Sequence, residues 1–199
     1  MRAPLLLALL LLALPTRADA DCEARAGEID ATLARDARAL HRWRWGWGIG
    51  ATVAIAAQAG AAALVDDRDL RIDLVVGAVS TLGLYLGVAF PPDIELSDQP
   101  KACPERLVDA ERRFRRAART ERTARSPWFH VGNGLFNVGV GLVLGLGYRH
   151  WTSGAVSAIV GFGIGEVQLF TIPHGAADTS IYVAPNGAGG TTMGLVFRF

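Results

Sequence analysis

Four stretches dense in glycine, alanine and aliphatic side chains, residues 46–65, 72–90, 132–148 and 154–172, constrain this chain more than anything else in it. Each is close to twenty residues long. At a rise of about 1.5 Å per residue that length matches a hydrocarbon layer of about 30 Å. A segment surrounded by lipid must satisfy its peptide groups inside the protein, which leaves spanning helices or the strands of a closed barrel. Hydrophobic residues make up 51% of the 199 positions, and 23 are glycine, in keeping with either architecture.

The barrel alternative has support. From Phe136 to Tyr148 the even positions read Phe, Val, Val, Leu, Leu, Leu, Tyr, and the odd ones are mostly small or polar. This is the alternation of a transmembrane strand. The closing "MGLVFRF" resembles the terminal strand of bacterial outer-membrane barrels, which implies a small outer-membrane β-barrel. The helical reading carries more weight. "ATVAIAAQAGAAALV" is alanine-dense, and alanine favours helix and is depleted in strands. Small or polar residues also recur at four-residue steps: Gly46-Gly50-Ala54-Gln58, Gly83-Gly87, Asn133-Asn137-Gly141-Gly145 and Ser157-Gly161-Gly165. Ladders of this kind let helices approach closely in lipid. The expected fold is therefore an all-α membrane protein with four membrane helices.

Charged amphipathic segments lead into the first and third apolar stretches. Cys22, Ala26, Ile29, Leu33, Ala37 and Leu40 share one helical face, as do Cys103, Leu107, Ala110, Phe114 and Ala117. Glu111–Arg115 and Glu121–Arg125 are spaced for i,i+4 pairing, and the arginine runs read as solvated faces. The two segments match at a constant offset. Cys22 and Cys103 are 81 residues apart, and the same offset relates Glu28 to Asp109, Leu33 to Phe114, Arg44 to Arg125, Trp47 to Trp128 and Pro92 to Pro173. The predicted organisation is a first repeat over 21–92, a linker over 93–102 and a second repeat over 103–173. Each repeat would be an amphipathic helix followed by a helical hairpin. In the tail, 174–199, two alternating segments around Asn186-Gly187 and Gly189-Gly190 predict a short β-hairpin.

Residues 1–20, with Arg2, the apolar run Leu5–Leu14 and Ala18-Asp19-Ala20, read as a cleaved secretory signal peptide. Asp21 before Cys22 argues against lipidation. Two cysteines in an exported chain predict one disulfide, Cys22–Cys103. Two crossings between them would return the chain to the same side. Export therefore places the arginines of 25–44 and 106–125 outside, whereas the positive-inside rule would place them in the cytoplasm. Trp43, Trp45, Trp47 and Trp128 stand where charged helix meets apolar span and are expected as interface anchors.

The four histidines have no metal-ligand spacing, "GFGIG" lacks the context of a dinucleotide loop, and no nucleophile elbow occurs. Neither enzyme activity nor a cofactor or metal is expected. A net charge of +1 gives no case for nucleic acid. The remaining chemistry is polar residues inside apolar spans: Gln58, Asn133, Asn137, Glu166 and Gln168. For Gln58, Asn133 and Asn137 interhelical hydrogen bonding is expected. Glu166, an acid inside a span, is the sharper functional candidate, with Arg149, His174 or a polar group of another span as partner. Gln58, Asn133, Asn137 and Glu166 are expected to line a small polar centre between the repeats. The sequence thus reads as an exported integral membrane protein of a bacterial envelope, inner or outer membrane unassigned, with a structural or binding role. A small transporter or channel is the alternative. Its expected partners are membrane lipid and either a second copy or another envelope protein.

Overall fold

The structure is a computed structural model, and it describes residues 17–89, 94–97, 102–173, 175, 179–185 and 191–197. Five α-helices follow one another: α1 Arg17–Leu64, α2 Arg68–Ala89, α3 Glu105–Ala124, α4 Pro127–Leu142 and α5 Trp151–Phe170, with a π turn, Val143–Gly147, closing α4. Four helical stretches are long and apolar enough to cross a membrane. The apolar stretches are helices, which argues against a barrel. Two backbone segments, β1 Thr179–Pro185 and β2 Thr191–Phe197, pair antiparallel. The residues between them, and the apolar run Leu5–Leu14, lie outside the described residues.

The expected charged segment and first span form one unbroken 48-residue helix, about 72 Å long. No proline stands between them, and the glycines at 46, 48 and 50 are carried within the helix. At the matching place in the second half stands Pro127, which takes the first-turn position of α4 after an extended Ser126 with ψ 150° and so divides α3 from α4. The 81-residue offset between the cysteines also separates Ala89 from Phe170, the last residues of α2 and α5.

The charged part of α1 and α3 run side by side in the same direction as a stalk. The Cys22–Cys103 disulfide joins their far ends, with Cα atoms 6.1 Å apart. Below it Ile29 and Leu33 pack on Ala110, Phe114 and Ala117. Nearer the spans, Leu40 and Trp43 pack on Ala124 and Ile172. Ile94 covers both clusters, and Glu95 pairs with Arg116 at 2.6 Å. The arginine faces are not wholly solvated. Arg113 is buried, 2.9 Å from Asp30 and 3.3 Å from Asp109, while Arg106 holds Glu23 and Asp30 at 2.5 and 3.2 Å. Burial leaves Arg113 no water to replace these acids, so the pairs fix the register of the two helices. Glu111–Arg115 forms as spaced, at 3.5 Å.

Below the stalk, α1 pairs with α2 and α4 with α5 as two hairpins. Asp67 caps α2, its Oδ1 accepting from the backbone N–H groups of Asp69 and Leu70 at 2.8 and 2.9 Å. The second hairpin is zipped by its small-residue ladder. Asn133 lies over Gly165, Asn137 over Gly161, Gly141 against Gly154, and Gly145 under the ring of Trp151. The Gly141 and Gly154 backbones approach so closely that neither has room for a β-carbon. The ladder on α1 behaves differently. Side chains added at Gly46 and Gly50 would meet open space, and an amide, Gln58, makes the close contact with Gly77 of α2.

Candidate functional site between the hairpins

Each amide in the spans lies over a glycine of a facing helix. Gln58 donates through Nε2 to Thr81 Oγ1 and to the Ala54 carbonyl, both at 3.1 Å, inside the first hairpin. Asn133 donates to Glu166 Oε1 at 2.9 Å and to the Phe162 carbonyl at 3.1 Å, inside the second. Asn137, buried, donates to the carbonyl and Oδ1 of Asn133 at 2.9 and 2.8 Å. His130 Nδ1 lies 2.6 Å from Glu166 Oε2 and completes a chain from Asn137 through Asn133 and Glu166 to His130. Such bonding offsets the cost of holding polar groups in an apolar layer.

This arrangement separates residues that the sequence placed together. Gln58 sits in the first hairpin, and Asn133, Asn137 and Glu166 sit in the second, so the four do not meet in one centre between the repeats. The partner of Glu166 is His130. Arg149 is at the opposite end of α5, and His174 lies outside the described residues. The amide that does bridge the hairpins is Gln168. It is buried, donates to the Leu84 carbonyl of α2 at 3.0 Å and rests its Oε1 against Gly87.

Among the described residues the hairpins meet chiefly where α2 faces α4 and α5, with Trp47 of α1 also reaching Thr171, and a groove of about 490 Å³ opens between α2, α4 and α5. Its walls come from Gly83 and Leu86 of α2, Trp128, Gly132 and Phe136 of α4, and Ile164 of α5. Asn133, Asn137 and Gln168 supply polar points, and Ala124 and Ile172 close it toward the stalk. The volume falls within the ~300–1,000 Å³ range of ligand sites, and the mainly apolar lining with few polar groups is their usual composition. Of its glycines Gly132 has no neighbour within 4 Å of a β-carbon built on it, whereas Gly83, Gly87, Gly161 and Gly165 are covered by Phe136, Gln168, Asn137 and Asn133.

The tryptophans divide. On a helix Trp43 and Trp47 share a face and Trp45 points away from it. Trp43 is buried, and both Trp43 and Trp47 donate Nε1–H to Thr171 Oγ1, at 3.1 and 3.2 Å, so these two pin the stalk base to the end of α5. Trp45 and Trp128 are exposed, at 61% and 80%.

At the far end of the bundle the hairpins touch again through a contact that sequence spacing gave no hint of. Arg149, at φ 63°, turns the chain into α5 and presents His150 to α2. His150 Nδ1 lies 2.7 Å from Asp73 Oδ1, and Nε2 lies 3.4 Å from Asp69 Oδ1. The hydrogen bond to Asp73 and the charges of both aspartates raise the His150 pKa above its ordinary value, outweighing partial desolvation.

No family model, curated protein or solved structure matches the chain.

Proposed function

We propose that this chain is an exported membrane protein of a bacterial envelope and that its work is binding, carried by the groove between its two hairpins. The groove itself is the observation that carries the reading. An apolar hollow of about 490 Å³, open at Gly132 and bounded by hydrogen-bonded amides, suits a ligand that enters sideways from lipid. The disulfide supports the exported orientation over the positive-inside rule, because such bonds persist in oxidising compartments and this one ties the stalk. The apolar N-terminal run supports export as well. A duplicated helix-plus-hairpin unit accounts for the 81-residue offset shared by the cysteines and the ends of α2 and α5.

The transporter alternative draws on the His130–Glu166–Asn133–Asn137 chain, which has the connectivity of a proton or ion relay. One experiment separates the two. The full chain reconstituted in liposomes is expected to pass neither protons nor small ions above the protein-free rate. Flux that Glu166→Gln abolishes would replace binding with transport.

A further inference from the structure

The groove has a depth and a charged mouth, and both describe one occupant. Along α4 it runs from Trp128 to Asn137, which at about 1.5 Å per residue is about 13 Å. That is close to one leaflet of a hydrocarbon core about 30 Å thick, or about 15 Å. The groove lies in the stalk-side half of the spans, because its lining takes in the last turns of α2 and α5 and the first turns of α4. Its polar points do not exclude hydrocarbon. Asn133, Asn137 and Gln168 already donate to helix carbonyls or to each other, and the hydroxyls of Ser80 and Thr81 donate to the Gly77 carbonyl.

Above the mouth, the last turns of the two stalk helices, residues 38–45 and 118–125, carry Arg38, Arg42, Arg44, Arg119, Arg122 and Arg125 against one acid, Glu121. This excess sits at headgroup level, where arginine attracts anionic lipid. Trp128, exposed on the rim, suits the same boundary.

We infer that the groove seats one acyl chain of an anionic phospholipid from the stalk-side leaflet, with its phosphate against the arginines at the stalk base. The inference rests on the binding reading above and names its ligand class.

Native mass spectrometry of the full chain in detergent tests it, with phosphatidylglycerol and phosphatidylcholine of identical chains as probes. One molecule of phosphatidylglycerol is expected to bind saturably, about tenfold tighter than phosphatidylcholine. Gly132→Phe, which grows into the groove from open space, should cut that affinity at least tenfold. Gly163→Phe, whose β-carbon also meets nothing within 4 Å and which lies outside the lining, should leave it unchanged. Ile164→Trp fills the groove from the opposite wall and provides a second blocking variant; circular dichroism identifies any variant that has lost its helices. Arg119→Gln with Arg122→Gln should remove the headgroup preference and leave chain binding. Equal affinity for the two lipids, or retention that survives both groove-filling variants, overturns the inference. Liposome flux judges the binding reading separately, so the two can fail independently.

Discussion

Alanine at Gly154 should destabilise the second hairpin, and alanine at Gly139, on the same hairpin, should not. A β-carbon built at Gly154 lies 2.5 Å from the carbonyl oxygen of Gly141, whereas one built at Gly139 meets nothing within 4 Å. Carbon and oxygen in close contact sit about 3.3–3.6 Å apart, so the helices must part by roughly 1 Å at the crossing. Backbone stands in the way, and it cannot rotate aside as a side chain would. Overpacking of this kind costs about 1–3 kcal/mol. Replacing glycine by alanine inside a helix returns up to about 1 kcal/mol, but at both sites equally, so the difference between the variants retains the full 1–3 kcal/mol. Unfolding of the detergent-solubilised protein by added SDS, followed through helical circular dichroism, measures that difference directly. Equal stability of Gly154→Ala and Gly139→Ala would refute the close crossing.

Phe114→Ala should cost about 3–5 kcal/mol in the same assay, because Phe114 is 3% exposed and fills the space between Ile29, Leu33 and Ala117. Reducing Cys22–Cys103 frees a loop of 81 residues and should lower stability by at most about 4.5 kcal/mol, less to the extent that the spans between the cysteines hold the loop in the bilayer. The His150 contact should make stability depend on pH. Because Asp73 and Asp69 raise the folded-state pKa, the stabilisation is complete below the ordinary histidine range and is lost as pH rises through the raised value; His150→Ala should flatten that part of the profile. Trp43→Phe removes the Nε1–H that reaches Thr171 and should cost about 0.5–1.5 kcal/mol, with Trp45→Phe near zero because Trp45 is exposed.

The spans were legible because their composition has a single physical reading once lipid is the solvent. The disulfide and the two amphipathic faces were equally plain, since Leu33 and Phe114, matched by the offset, meet in one core. The boundaries were harder to read. Nothing in the first half stops the helix at Arg44, and Pro127 stops it in the second, a difference that no periodicity reveals. The ladder Asn133-Asn137-Gly141-Gly145 was visible, but its register against Gly165, Gly161 and Gly154 was not. That register is what puts His130 beside Glu166. In the matching ladder on α1 the close contact falls to its last member, Gln58, against Gly77, whereas β-carbons at Gly46 and Gly50 would meet open space. The sequence around Arg113 reads as a solvated face because Asp30, its partner, lies on the other stalk helix, 83 positions away. The groove left no mark at all, since it is a gap between helices distant in sequence.

Lipid must surround the four apolar helical stretches, whose exposed residues include Ile49, Val79, Leu135 and Ile159. Ultracentrifugation of membranes after alkaline carbonate extraction tests it most directly. The chain should stay in the pellet and leave it only with detergent. A stable, helical monomer in detergent-free buffer would contradict it.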